Sequence, residues 1–249
     1  MTTDSESEGS IARRDAANWA PLVERLKVDG MPAGAPDLVQ GRRVQGPLQG
    51  FGKMWQKTYR VRLESSNATP ADAISVLKER FGEFWPKGSR FYSPLSGIAP
   101  GEVALLSVSA GPVRLSTGVL VLYADEESFT LMSPEGHMLS GWITFNALED
   151  AGCTVVQGQV LMRAPDPLAE LALTFGGHKS EDRQWVHTLT ALGSHFGLTA
   201  TVDASTACVD PRRNWSQAKN ILHNAGIRSF MYSLSAPARW LHRPAGAAK

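Results

Sequence analysis

Few residues in this chain have the types and spacing that chemistry requires, and His137 is the best placed of them. It follows the turn Pro134-Glu135-Gly136 at the head of a strand pattern. There an imidazole can reach a cavity mouth, as a hydrogen-bonding contact or a proton carrier. No acid stands at a spacing that would orient it as a general base, so a polar contact is its expected role. His178 and His187 do not complete a zinc set with it, because no His-Glu-x-x-His pairing occurs and tetrahedral zinc needs convergent ligands. No metal and no cofactor are expected. Asp125, Glu126 and Glu127 are adjacent acids, which a charged hairpin tip explains more simply than a cation site. Gly46, Gly50, Gly52 and Lys53 have the composition of a phosphate-binding loop but not its spacing. Met54 stands where Ser or Thr would hold magnesium, and a strand pattern follows where a helix is needed. Neither Ser nor Cys occurs in a nucleophile-elbow setting, so no catalytic residue is assigned.

Composition narrows the class. The 249 residues are 43% hydrophobic with a formal charge of +1, enough for one large or two small globular domains. A balanced charge gives little attraction for a phosphate backbone, so no nucleic acid is expected as partner. Cys153 and Cys208 lie far apart without a C-x-x-C context, which fits a reducing cytoplasm better than a disulfide framework. The start of the chain, with Asp4, Glu6 and Glu8 among Ser and Thr, has neither the basic nor the apolar part of a secretory signal. The apolar run Val119 to Ala124 is too short to span a bilayer, so no transmembrane segment is expected.

The elements that must position any site read in order. Residues 1–14 are polar and read as a disordered tail. Residues 15–52 read as an N-terminal helix, with Trp19, Leu22, Val23 and Leu26 on one face, ended by Gly30 and Pro32 and followed by a linker. From Trp55 the pattern alternates, with Trp55, Tyr59, Val61 and Leu63 inward and Gln56, Thr58, Arg60 and Arg62 outward. Thr69 and Pro70 open a helix carrying Ile74, Leu77, Phe81 and Phe84. Strand patterns then follow over residues 103–109, 113–123, 128–133, 139–148 and 153–163, joined by short turns, as in an antiparallel meander. In the last of these, Val156, Gly158, Val160 and Met162 are expected inside; the opposite register would bury Gln157, Gln159 and Arg163.

Asp166 and Pro167 start a long helical segment. Leu168, Leu171, Ala172 and Phe175 share a stripe, Gly176-Gly177 interrupt it, and Ser180 recaps the chain. Trp185, Leu189, Leu192 and Phe196 then carry the apolar stripe to Gly197. Residues 198–249 form an extension expected to pack on the domain: an edge segment, a helix capped by Asn214 and Gln217, and an amphipathic stripe of Ile227, Phe230, Met231 and Leu234. With Arg228, Arg239, His242 and Arg243 nearby, that stripe also offers a weak partner or membrane contact.

One strand, one helix, a run of antiparallel strands and a long helix is the element order of the helix-grip fold, of class α+β. On that order, over residues 53–197, the chain resembles the START-like superfamily of lipid-transfer domains, pollen-allergen-like proteins and polyketide cyclases. Ser116-Thr117-Gly118-Val119, Tyr123-Ala124-Asp125-Glu126, Pro134-Glu135-Gly136-His137 and Gly141-Trp142-Ile143-Thr144-Phe145 are similar to an uncharacterised bacterial branch of it. The resemblance implies a curved sheet around the last helix with an apolar cavity between. The implied function is non-covalent binding of a small hydrophobic or amphipathic molecule. Tyr59, Phe129, Leu131, Phe145, Met162, Trp185 and Leu189 would form the walls, and His137 the polar contact at the mouth. A cyclase- or aromatase-type enzyme using the same pocket is the alternative, and an interaction module using the C-terminal helix is a third reading.

Overall fold

Thr69 and Pro70 open the first helix by two separate devices. The Thr69 hydroxyl accepts from the Asp72 amide at 3.2 Å while the Asp72 carboxylate accepts from the Thr69 amide at 3.0 Å, a reciprocal cap that satisfies free helix-end donors. Proline at the first helical position needs no amide partner. The computed structural model describes residues 16–28, 38–64, 66–110 and 113–234. The readings for residues 1–14, for Gly30 and Pro32, and for Pro237 to Arg243 lie outside the described residues.

Eight strands form one antiparallel sheet: β1 (Met54–Arg62), β2 (Arg90–Tyr92), β3 (Val103–Ala110), β4 (Val113–Ala124), β5 (Ser128–Met132), β6 (Ser140–Asp150), β7 (Cys153–Arg163) and β8 (Val202–Asp210). Their order across the sheet is β2-β3-β4-β5-β6-β7-β1-β8. Helix α1 (Pro70–Glu79) and the last part of a long helical segment pack on the concave face. That segment comprises α2 (Pro167–Ala172), a π turn (Leu173–Gly177) and α3 (His178–His195). A curved antiparallel sheet closed over a long C-terminal helix is the helix-grip arrangement of the α+β class, as the element order implies. The short β2 was hidden in sequence among Pro, Gly and Ser.

The register agrees with the alternation. Val156, Val160 and Met162 of β7 join the core while Gln157 faces out and takes a hydrogen bond from Arg60 at 2.7 Å. Gly158 lies opposite Phe145, and a Cβ there would sit 3.0 Å from the Phe145 ring. Its missing side chain leaves the ring room to approach the strand closely. At the β4–β5 turn, the Asp125 carboxylate accepts from the Glu127 and Ser128 amides at 2.9 and 2.6 Å, so this acid is used by the hairpin itself. Among the described residues no group of three or more His, Cys, Asp or Glu is placed to hold a metal ion.

Three local readings are corrected. Residues 19–28 form an extended arm rather than a helix: Trp19 bridges to Tyr123, and the Ala20 amide donates to the Leu122 carbonyl at 2.8 Å. Backbone pairing with β4 outweighs a short amphipathic pattern that cannot hold a helix alone. Ser180 does not recap α3, because the helix runs on from the π turn with no side-chain cap. The Asn214–Gln217 cap is absent as well, and residues Trp215–His223 wind as a 3-10 helix.

After β8 and the 3-10 helix the chain reaches α4 (Ala225–Leu234), which packs against β4. Buried polar groups fasten it. Arg163 donates to the Asp210 carboxylate at 2.6 Å and to the Arg212 carbonyl at 2.8 Å, Asn224 donates to Asp166 at 2.8 Å, and Ser229 accepts from the Ser116 amide at 3.1 Å. Asp166 is fully buried and also accepts from the Leu168 and Ala169 amides at 2.9 and 3.0 Å. It therefore caps α2 with one oxygen and holds the extension with the other. Asp166→Ala should lower stability by about 2 to 4 kcal/mol, the loss of a cap plus a buried amide left unpaired. Urea unfolding checks this, and a loss under about 0.5 kcal/mol would show that water replaces both contacts.

Candidate ligand-binding site

Parity on β1 sends Trp55, Lys57, Tyr59, Val61 and Leu63 to the concave face, so one lysine sits in an apolar row. Lys57 is 1% exposed. A buried ammonium must find acceptors for its three protons, and α3 supplies them. The Asp182 carboxylate lies at 2.7 Å, Glu181 at 2.9 Å and the His178 carbonyl at 3.2 Å. The Tyr59 hydroxyl donates to the same Asp182 oxygen at 2.7 Å. Burial, then the Glu181 charge and the Asp182 contact, push the Tyr59 phenol far above its ordinary range, so it stays a donor.

Glu181 is the unbalanced member. Burial pushes its carboxyl up against the pull of Lys57, and among the described residues its Oε1 has no hydrogen-bond partner. The Trp185 indole N–H, one turn along α3, lies beside this carboxylate without a well-directed hydrogen bond. Gln184 Nε2 and Trp85 Nε1 are likewise buried without acceptors. His178 packs edge-on against Trp55 with ring centroids 5.1 Å apart, and burial followed by the Lys57 charge holds its imidazole below the ordinary range.

An aromatic body adjoins this polar end. Trp185 meets Phe145 at 5.6 Å and Trp85 at 6.3 Å, and Phe145 stacks on Phe129 at 5.1 Å. Phe81 sits edge-on to Phe129 and Phe145 at 5.5 and 5.3 Å. Tyr59, Phe129, Leu131, Phe145, Met162 and Leu189 are all buried in this one cluster, and Trp185 packs partly buried against it. Phe81 and Trp85 enter it from beyond the end of α1, although neither stands among the wall residues expected from sequence.

His137 makes no ring contact with these aromatics among the described residues. It is buried on the turn between β5 and β6, and its Nδ1 accepts from the Leu139 amide at 3.1 Å. That contact places the proton on Nε2, which has no partner among the described residues. His187 and His195 face solvent. A separate cleft of about 410 Å³ lies between residues 43–49, the β5–β6 turn and the 3-10 helix, lined by Arg43, Gln45, Glu135, Lys219 and Asn220 among others.

The sequence reading passed over Lys57, Glu181 and Asp182. Parity was the available signal for Lys57, since an inward position flanked by Trp55 and Tyr59 requires a buried partner. For Glu181 the signal was its spacing, four residues before Trp185 on the same stripe.

No protein-family model and no curated protein matches this sequence. Solved structures overlap part of it. Ara h 8.0201 is 13% identical with a TM-score of 0.42, over 57% of this chain and 97% of its own. TTHA0849 from Thermus thermophilus is 12% identical with a TM-score of 0.42, over 57% and 96%. The di-domain ARO/CYC StfQ from the steffimycin biosynthetic pathway is 8% identical with a TM-score of 0.44, over 58% of this chain and 50% of its own. At such identities and overlaps the likeness says nothing of ligand or activity.

Proposed function

We propose that this protein binds a small amphipathic molecule, without covalent chemistry, between α3 and the concave face of the sheet. The observation that carries the reading is the set of buried polar atoms without partners on the elements that frame the aromatic cluster: Glu181 Oε1 and Gln184 Nε2 on α3, and the Trp85 indole beyond α1. Buried polar groups are nearly always paired, so these orphans ask for a partner with donors and acceptors of its own. A molecule with a hydroxyl or amide head and an apolar body fits both ends. The rings of Phe145, Trp85 and Trp185 would supply most of the affinity and the polar atoms its orientation.

Entry is served by the way α3 is held. Its fully buried residues, Thr188, Leu189, Leu192 and Gly193, lie in its second half, while the first turns rest on the Lys57 contacts. At the π turn Phe175 and Gly176 leave helical geometry, and Gly176 adopts a φ of 114°. Parting the first turns of α3 from the sheet therefore breaks polar contacts that water can replace, and leaves the main apolar anchor intact.

A cyclase- or aromatase-type reaction would need a group free to move a proton. Lys57 is held by two hydrogen bonds and an ion pair, Tyr59 is held as a donor, and His137 makes no ring contact with the aromatic cluster among the described residues, so binding is the better supported reading. Incubating the protein with a cell lipid extract and analysing what remains bound by mass spectrometry should recover a small amphipathic compound. Trp185→Ala should weaken its binding roughly tenfold to a hundredfold, about 1.4 to 2.8 kcal/mol. Recovery of nothing above a control protein, or unchanged affinity in the variant, would overturn the reading.

A further inference from the structure

Helix α2 presents its large apolar side chains away from the domain. Leu168, Leu171 and Phe175 are 43%, 54% and 81% exposed, while Ala169, Glu170 and Leu173 take the buried side. The amphipathic stripe expected from sequence is real in its spacing but points outward. Three large apolar residues on one exposed stripe, at the kink of the gripping helix, form a patch of the kind that marks an interaction surface.

Charge around the stripe decides what covers it. Four acids lie between residues 166 and 183, and each is engaged. Asp166 caps α2 and holds Asn224. Glu170 pairs with Arg213 at 3.2 Å, and Glu181 and Asp182 pair with Lys57. The cations Lys179 and Arg183 are exposed, and among the described residues neither has an acid within 4.0 Å. The Arg183 Nε donates to the Lys179 carbonyl at 3.3 Å, which folds the guanidinium back toward the kink. An apolar stripe thus ends in unopposed positive charge. A second copy of the chain would bring the same cations against their own kind, and a stripe of three side chains falls well short of the roughly 800 Å² per partner that a stable dimer buries.

We propose that α2 and the π turn are a docking face for an anionic lipid surface, with Leu168, Leu171 and Phe175 entering the interface and Lys179 and Arg183 meeting headgroups. Among the described residues no helix is long and apolar enough to cross a membrane, so the attachment is peripheral and reversible, set by buried apolar area plus electrostatic attraction. The inference stands on this surface alone and does not depend on what the interior binds.

Sedimentation of the full chain with vesicles of phosphatidylcholine alone, or mixed with phosphatidylglycerol, tests it. Wild-type protein should pellet with the mixed vesicles and lose most of that binding in high salt. Leu171→Asp with Phe175→Asp should reduce the partition roughly a hundredfold by removing the inserting side chains. Lys179→Gln with Arg183→Gln should reduce it roughly tenfold or more and flatten the salt dependence. All four sites are exposed, and circular dichroism will confirm folding. Failure of wild-type protein to bind mixed vesicles overturns the proposal, as does binding that survives the aspartates. Binding gained only after deletion of residues 235–249 would assign the stripe to that segment, and a dimer dissolved by the aspartates would assign it to a second copy. Either of those outcomes also overturns the lipid proposal.

Discussion

Lys57→Met is expected to destabilise the protein by about 3 to 5 kcal/mol, the usual consequence of removing one partner from a buried ion pair. Methionine matches the volume and length of the lysine stem, so little of the loss will come from packing. It comes from Glu181, whose carboxyl is already pushed up by burial and would lose its cation, and from the Asp182 oxygen left with Tyr59 alone. Asp182 is partly exposed and can turn to water; Glu181 cannot. Adding Glu181→Leu to the methionine variant should therefore recover most of the loss, whereas adding Asp182→Asn should recover little. Urea midpoints at unchanged slope report these differences directly. A single variant within about 1 kcal/mol of wild type would show that Lys57 and Glu181 are hydrated in solution.

The second large effect is on acid stability. Burial pushes His137 down to about 4, against an ordinary value near 6.5. Between those values the unfolded chain takes up a proton that the folded chain refuses. The unfolded state then binds more protons, so stability rises with pH across this window and falls as pH drops through it. The contribution is complete above about pH 6.5 and amounts to at most ~3 kcal/mol by pH 4. His178, also held low, adds a change of the same sign. Glu181, whose carboxyl is raised, works in the opposite direction: its folded form binds the extra proton, so acid favours the fold there. Only a difference curve separates them. His137→Gln keeps an acceptor for the Leu139 amide and should lose less stability than wild type between pH 7 and 4.5. Parallel curves for the two proteins would mean that His137 titrates normally and is not enclosed.

Much of the sheet was legible because strand chemistry is local. Alternation set the faces of β1 and β7, and turn residues such as Asp125 and Pro134-Glu135-Gly136 marked where strands reverse. Asp166, Pro167 and Thr69 announced helix starts through capping rules that need no tertiary information. Tertiary contacts decided the rest. The stripe of Leu168, Leu171 and Phe175 has helical spacing that says only that the residues share a face, not which way that face points. The arm at Trp19 and Ala20 took its conformation from β4, a partner a hundred residues away. In the candidate site, Tyr59, Phe129, Phe145 and Leu189 share one buried cluster, and alternation and helix spacing are what place such residues on a common face. Parity marked Lys57 as an inward charge in need of a partner, but only the fold shows that Glu181 and Asp182 supply it.

Strand β1 has a consequence for how the chain is made. The strands from β2 to β7 pair with their neighbours in sequence, so each can settle against the last as it emerges. β1 cannot. Its partners on the two sides are β7, with Tyr59 opposite Gly158, and β8, with Tyr59 opposite Ala204, so it waits for about a hundred residues on one side and nearly 150 on the other. At synthesis rates of about 5 to 20 residues per second, the first of those waits lasts roughly 5 to 20 s. Throughout it, Trp55, Tyr59, Val61 and Leu63 have no sheet to enter. Closing such long loops is the slow part of folding for sheet proteins. The nascent chain is thus most exposed to aggregation before β7 is complete, and its first strand is the segment a chaperone would hold.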